Sequence, residues 1–197
     1  MAHLYMKKVL AFIVSVSFLL SGHGCRDNQK ADTTTESAAT SAGGASDTPI
    51  SERLQSLGLT GEGHWRGISL GDSLAIVKNT EEAKLFESDA SHLGYSLEFP
   101  NMESVDMLYH QKDQKVLAID VDLYLNTRQS VTDYTNDLKQ YFTARYGHPV
   151  QQEKAVVWTG TQQEKISVID VSEGKDYGIK IKINSALEAA ATASTRR

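Results

Sequence analysis

Leu117, Ile119, Val121, Leu123 and Leu125 alternate with Ala118, Asp120, Asp122 and Tyr124. A period of two predicts a strand with one buried and one solvated face. Shorter alternations run through Leu93, Tyr95, Leu97 and Phe99, and through Val105, Met107 and Tyr109. Toward the C-terminus, Ala155 to Trp158, Lys165 to Val171 and Tyr177 to Ile183 also read as strands. In the last of these, Lys180 and Lys182 fall opposite Ile179, Ile181 and Ile183. The period changes to three and four at Tyr134, Leu138, Tyr141, Phe142 and Arg145, which predicts a helix over about 131–146. Ser130-x-x-Asp133 is a capping-box start for it, and Gly147 with Pro149 is a stop. A shorter helix follows Gly71, with Asp72 or Ser73 as N-cap and Leu74 and Val77 on its apolar side.

These elements fall into two similar halves, each a helix followed by three strands. The loops Gln111-Lys112-Asp113-Gln114 and Ser172-Glu173-Gly174-Lys175 occupy equivalent places between the last two strands of each half. The expected fold is α+β: two α-β-β-β repeats forming an antiparallel sheet with helices packed on one face. Residues 50–186 make one domain by length. Trp65, ahead of the first helix, is expected to be a core residue that starts the fold.

The region before residue 50 has a different pattern. Lys7 and Lys8 precede an uncharged apolar run, Val9 to Leu20, and then Ser21, Gly22, His23, Gly24 and Cys25. This is the order of a secretory signal, assigned to residues 1–24, and Met6 offers an alternative start. The run of 12 residues is too short to cross about 30 Å of hydrocarbon as a helix. Cys25 is the single cysteine, so no disulfide forms within the chain. Its position resembles the lipobox of bacterial lipoproteins, which implies a diacylglycerol on the thiol and attachment to a membrane. Gly22 stands where that box usually has Leu, and Gly22 with Gly24 also fits ordinary signal cleavage; both outcomes stay open. Residues 26–49 contain no Val, Ile, Leu, Met or aromatic residue. A segment with so little to bury is expected to be a disordered tether. Its 24 residues would span about 25–30 Å on average. Residues 187–197 are expected to be a flexible tail.

Composition narrows the partners. Without residues 1–25 the chain carries 18 basic and 25 acidic residues, a net of −7. That balance argues against nucleic acid and against adhesion to anionic lipid.

Candidate chemistry is sparse. Gly67-Ile68-Ser69-Leu70-Gly71 matches the G-x-S-x-G nucleophile elbow, with Asp120 or Asp122 and then His148 in a hydrolase order. The elbow requires a buried strand before the serine, and Gly61-Glu62-Gly63-His64-Trp65-Arg66 does not read as one. Asp120-x-Asp122 lacks the further oxygen ligands of a calcium loop. His64, His92, His110 and His148 show no i, i+4 pair and no carboxylate at metal-site spacing, so neither metal nor cofactor is expected. The remaining candidate is a binding surface on the outer sheet face, made of Asp120, Asp122 and Tyr124 with Lys180 and Lys182. His64, Trp65 and Arg66 form a weaker one.

Ile68-x-x-Gly71-x-Ser73-x-x-x-Val77 is a turn entering a helix, and Tyr146-Gly147-x-Pro149 leads to Trp158 in the next strand. Across most of residues 65–184 this order resembles a group of small secreted bacterial domains. The group includes the β-lactamase inhibitor protein and the small lipoprotein of the outer-membrane barrel-assembly machinery. The resemblance implies binding rather than catalysis. The leading expectation is a non-catalytic lipoprotein of the bacterial cell envelope that binds a protein or other envelope component. An inhibitor or immunity protein against a secreted enzyme is the alternative, and a hydrolase using Ser69 the remote one.

Overall fold

In the computed structural model, which describes residues 50–188, the alternation around Ile119 becomes strand β4 (Lys115–Leu125). The signal segment, Cys25, the tether to residue 49 and the tail from residue 189 lie outside the described residues. The other strands are β1 (Lys84–Ser88), β2 (His92–Glu98), β3 (Ser104–Lys112), β5 (Val150–Gln152), β6 (Ala155–Thr159), β7 (Lys165–Asp170) and β8 (Tyr177–Asn184). They form one open antiparallel sheet of eight strands in the order β1-β2-β3-β4-β8-β7-β6-β5. The domain is therefore α+β. Four strands lie within residues 84–125 and four within residues 150–184, where three were expected in each stretch. The two unforeseen strands, β1 and β5, are the sheet edges, and all their residues are exposed. An edge strand with no buried side leaves no alternation in the sequence.

Register explains the core. Leu93, Tyr109, Ile119, Ile183, Ile166 and Trp158 pair in succession across β2, β3, β4, β8, β7 and β6. Tyr95, Met107, Val121, Ile181, Val168 and Val156 make the next such row. All twelve are buried. Fully burying one large apolar side chain contributes about 1.5–3 kcal/mol, so these rows hold the sheet together. Asp113 and Gln114, with φ of 55° and 62°, turn β3 into β4. Two residues of positive φ match the twist of the flanking strands.

Helix α1 (Glu52–Ser56), α2 (Leu74–Thr80) and α3 (Arg128–Tyr146) complete the domain. The sequence pattern missed α1, whose five residues are too few to display a period. Ser73, not Asp72, caps α2, accepting from the Ile76 N–H. Asp72 instead accepts from the Ser69 N–H at 2.7 Å. The start of α3 also differs from the expectation. Its N-cap is Thr127, whose hydroxyl accepts from the Ser130 N–H at 3.0 Å, so Ser130 lies within the first turn. Thr127 has the extended backbone a cap requires, with φ −141° and ψ 154°. At the other end the helix stops at Gly147, where φ is 79°. Val131, Tyr134, Leu138, Tyr141 and Phe142 are its buried face. Phe142 meets Trp158 with ring centres 5.4 Å apart, and the Trp158 indole N–H donates to Thr143 Oγ1 at 3.2 Å. Trp65 is fully buried, as expected of a residue that starts the fold.

A charged group also enters the interior. Arg66 sits in a tight turn with φ 50° and directs its guanidinium inward. Its Nε donates to both Glu81 carboxylate oxygens, at 3.0 and 3.2 Å. The Tyr109 hydroxyl donates to the same carboxylate. The Glu81 side chain has 0% exposure. Gly58 makes room, because a Cβ there would stand 2.2 Å from Arg66 Nη1. Burial, reinforced by the Glu81 charge, pushes the Tyr109 hydroxyl well above its ordinary pKa.

Candidate functional site

Residues that alternate with the core rows make the outer face of the sheet. Here Asp120 pairs with Lys182 and Asp122 with Lys180 across β4 and β8. Lys180 Nζ lies 2.9 Å from Asp122 Oδ1, and Lys182 Nζ 3.2 Å from Asp120 Oδ2. His110 on β3 adds a third contact, its Nε2 being 3.7 Å from Asp120 Oδ2. Burial alone would raise the Asp120 carboxyl, but the hydrogen bond from His110 and the ammonium of Lys182 outweigh it and hold the pKa low. The Asp122 hydrogen bond raises the Lys180 ammonium despite partial burial. Together the four residues form a two-rung ladder at the centre of the sheet.

Tyr124 continues the same face beyond this ladder. Its partner is Gly178, which has no side chain to cover it, and Tyr124 is 52% exposed. Partial burial raises its hydroxyl pKa, with the carboxylates of Asp106 and Asp122 adding to the effect. All five expected binding residues are thus neighbours on one face.

The outer face also has apolar content beyond the five expected residues. Phe86 lies over Gly94 and remains 48% exposed. Val171 borders Gly178, and Val150 pairs with Val157 at the β5 edge; both valines are exposed. Between ladder and edge lies a groove of about 680 Å³, floored by Ala118, Asp120, Val157, Ser167, Ile169 and Lys182. A single-strand pattern cannot register this, because Phe86 and Val150 belong to strands with no alternation.

The residues of the hydrolase order are arranged differently. The Ser69 N–H is tied to Asp72, and among the described residues no hydrogen bond involves the Ser69 hydroxyl. His64 Nδ1 accepts from the Leu70 N–H at 3.2 Å. A neutral imidazole engaged in this way carries its proton on Nε2, leaving no lone pair there for a serine hydroxyl. Burial lowers the His64 pKa, against the charge of Glu164. Asp120 and Asp122 are paired on the outer face, and His148 is exposed.

Register also joins two histidines that looked scattered. His92 and His110 are directly opposite on β2 and β3, with ring centres 5.7 Å apart. Residues 99–103 join the two strands, but their sequence does not by itself fix the register that sets the histidines opposite each other. No family model, curated protein or solved structure matches the chain.

Proposed function

We propose that this chain is a non-catalytic lipoprotein of the bacterial envelope, anchored through Cys25, whose domain binds another protein across the outer face of its sheet. The observation that carries the reading is the exposed Tyr124 and Val171 beside the Asp–Lys ladder, with Phe86 and Val150 exposed at the two edges of the same face. Aromatic and aliphatic groups beside orienting charges are the composition of a recognition surface. The engagement of Asp122 with Lys180 and of Asp120 with Lys182, on the outer face, supports a role without serine chemistry. The same reading takes the two halves as related units, each a helix followed by a strand meander, with their helices on the core side.

Two experiments test it. Palmitate labelling and mass spectrometry of the mature N-terminus should find acylated Cys25, and Cys25→Ser should release the protein from membranes. Unmodified Cys25 removes the anchor. Separately, a crosslinkable side chain in place of Tyr124 should capture a defined protein in cells, whereas one in place of the exposed Ile76 on α2 should not. Equal capture from both positions defeats the binding face.

A further inference from the structure

The outer face carries a second cluster, at its β1–β2–β3 margin. One donor atom from each of Glu87, Asp89 and His92 lies within 4.8 Å of the others. Two backbone features bring these groups together. Strand β1 has a bulge between Leu85 and Glu87, so that Phe86 and Glu87 both stand against Gly94. Without the extra residue, Glu87 would pair with Leu93 and face the core. The bulge therefore re-aims Glu87 to the face that carries His92. Gly94 allows it, since a Cβ there would lie 2.8 Å from the Phe86 ring and 3.2 Å from Glu87 Cβ. A second irregularity, between His110 and Gln111 on β3, flanks the opposed histidine.

His92 is the centre of the arrangement. Its side chain is only 14% exposed, and its Nε2 is buried without a hydrogen bond. That nitrogen nonetheless lies 3.1 Å from Glu87 Oε2, close but misaligned for N–H donation. Its Nδ1 lies 2.9 Å from Ser91 Oγ and 3.4 Å from Asp89 Oδ1. When Nδ1 carries the proton, Nε2 presents a lone pair toward a carboxylate, which is unfavourable unless a cation stands between them. Metal-bound imidazoles are oriented in this way, with Nδ1–H held by an oxygen acceptor. A separation of 3.1 Å is also close to the ligand–ligand edge of about 3.3 Å that zinc bonds of roughly 2.0–2.1 Å imply in a tetrahedron. Asp89 is held by the Ser91 N–H at 2.6 Å, the Ser91 hydroxyl at 2.8 Å and the His92 N–H at 2.9 Å.

We propose that Glu87, Asp89 and His92 bind a divalent transition-metal ion of the zinc class, with water completing its shell. One buried imidazole nitrogen beside two carboxylates is a donor set that suits zinc better than calcium or magnesium, which favour oxygen ligands throughout. The site needs no docked protein, so it stands or falls apart from the proposed function. The test is calorimetric titration of zinc into the full chain near neutral pH, alongside His92→Asn, Glu87→Gln and, as a control, His148→Asn. Binding should weaken about tenfold or more in the first two variants and hold in the control. Long-range proton–nitrogen spectra should show the His92 imidazole shifting as zinc is added while that of His148 stays in place. These spectra read the wild-type fold, so they decide the matter even if a variant misfolds. Zinc that leaves the His92 imidazole signal in place, or binding undiminished in folded His92→Asn, overturns the site.

Discussion

Two sets of opposite charges in this domain show how placement changes what an ion pair does. Arg66 and Glu81 meet inside the fold, where the Glu81 side chain has 0% exposure and Tyr109 supplies a further hydrogen bond. Asp120, Asp122, Lys180 and Lys182 meet on the outer face, each partly open to water. The chemistry is similar and the surroundings are not. In the interior a lone charge has no solvent to return to, so each member depends on the others. On the face, water replaces a lost partner at little cost. The interior set therefore ties the turn at Arg66 to the sheet, and the outer set adds little to the fold's stability.

The largest expected effect breaks the interior set. Arg66→Met leaves Glu81 buried and unpaired and should destabilise the domain by about 3–5 kcal/mol, read from the midpoint of urea unfolding. A loss below about 1 kcal/mol would show that the interior pair behaves like a surface one.

Tyr109→Phe is a milder cut that removes one donor to Glu81 and should cost about 1–3 kcal/mol. It also changes the alkaline limb. The folded-state pKa of Tyr109 is raised, so the unfolded chain loses this proton first. Stability is then intact below about pH 10 and falls as pH climbs from there toward the folded value. Unfolding followed against pH should show a shallower alkaline decline in Tyr109→Phe than in the parent.

On the outer face, a double-mutant cycle of Asp122→Asn and Lys180→Gln should give a coupling below about 1 kcal/mol. A coupling as large as the Arg66→Met loss would erase the contrast between the two sets. The smallest effect is at Asp120, whose folded-state pKa is lowered. Its contribution is present above the unfolded value and is lost as pH falls through the folded one. Asp120→Asn should therefore flatten the acid limb of stability slightly and leave the alkaline limb unchanged.

How much of this was legible in the chain depends on whether a feature is local. The buried alternation at Ile119, Val121 and Leu123 announces β4, and Gly147 announces the end of α3, because each acts within a few residues. The start of α3 was misplaced because Thr127 and Ser130 are both acceptable caps, and only backbone geometry selects Thr127. The edge strands left no trace, since neither has a buried side. The outer ladder was half legible. Alternation put Asp120, Asp122, Tyr124, Lys180 and Lys182 on the outer sheet face, but could not say which charge pairs with which across β4 and β8.

Where a segment alternates or repeats every three to four residues, sequence alone therefore determined its buried positions and which residues share its face. Those choices follow from side-chain transfer out of water and from the period of the backbone. The tertiary structure decided which faces meet. Lys182 reaches Asp120 across 62 residues of chain, Arg66 reaches Glu81 across 15, and His92 faces His110 through the register of a hairpin. Such pairings depend on strand order, register and one bulged residue, which are set when the whole sheet closes over its core and not by any single segment.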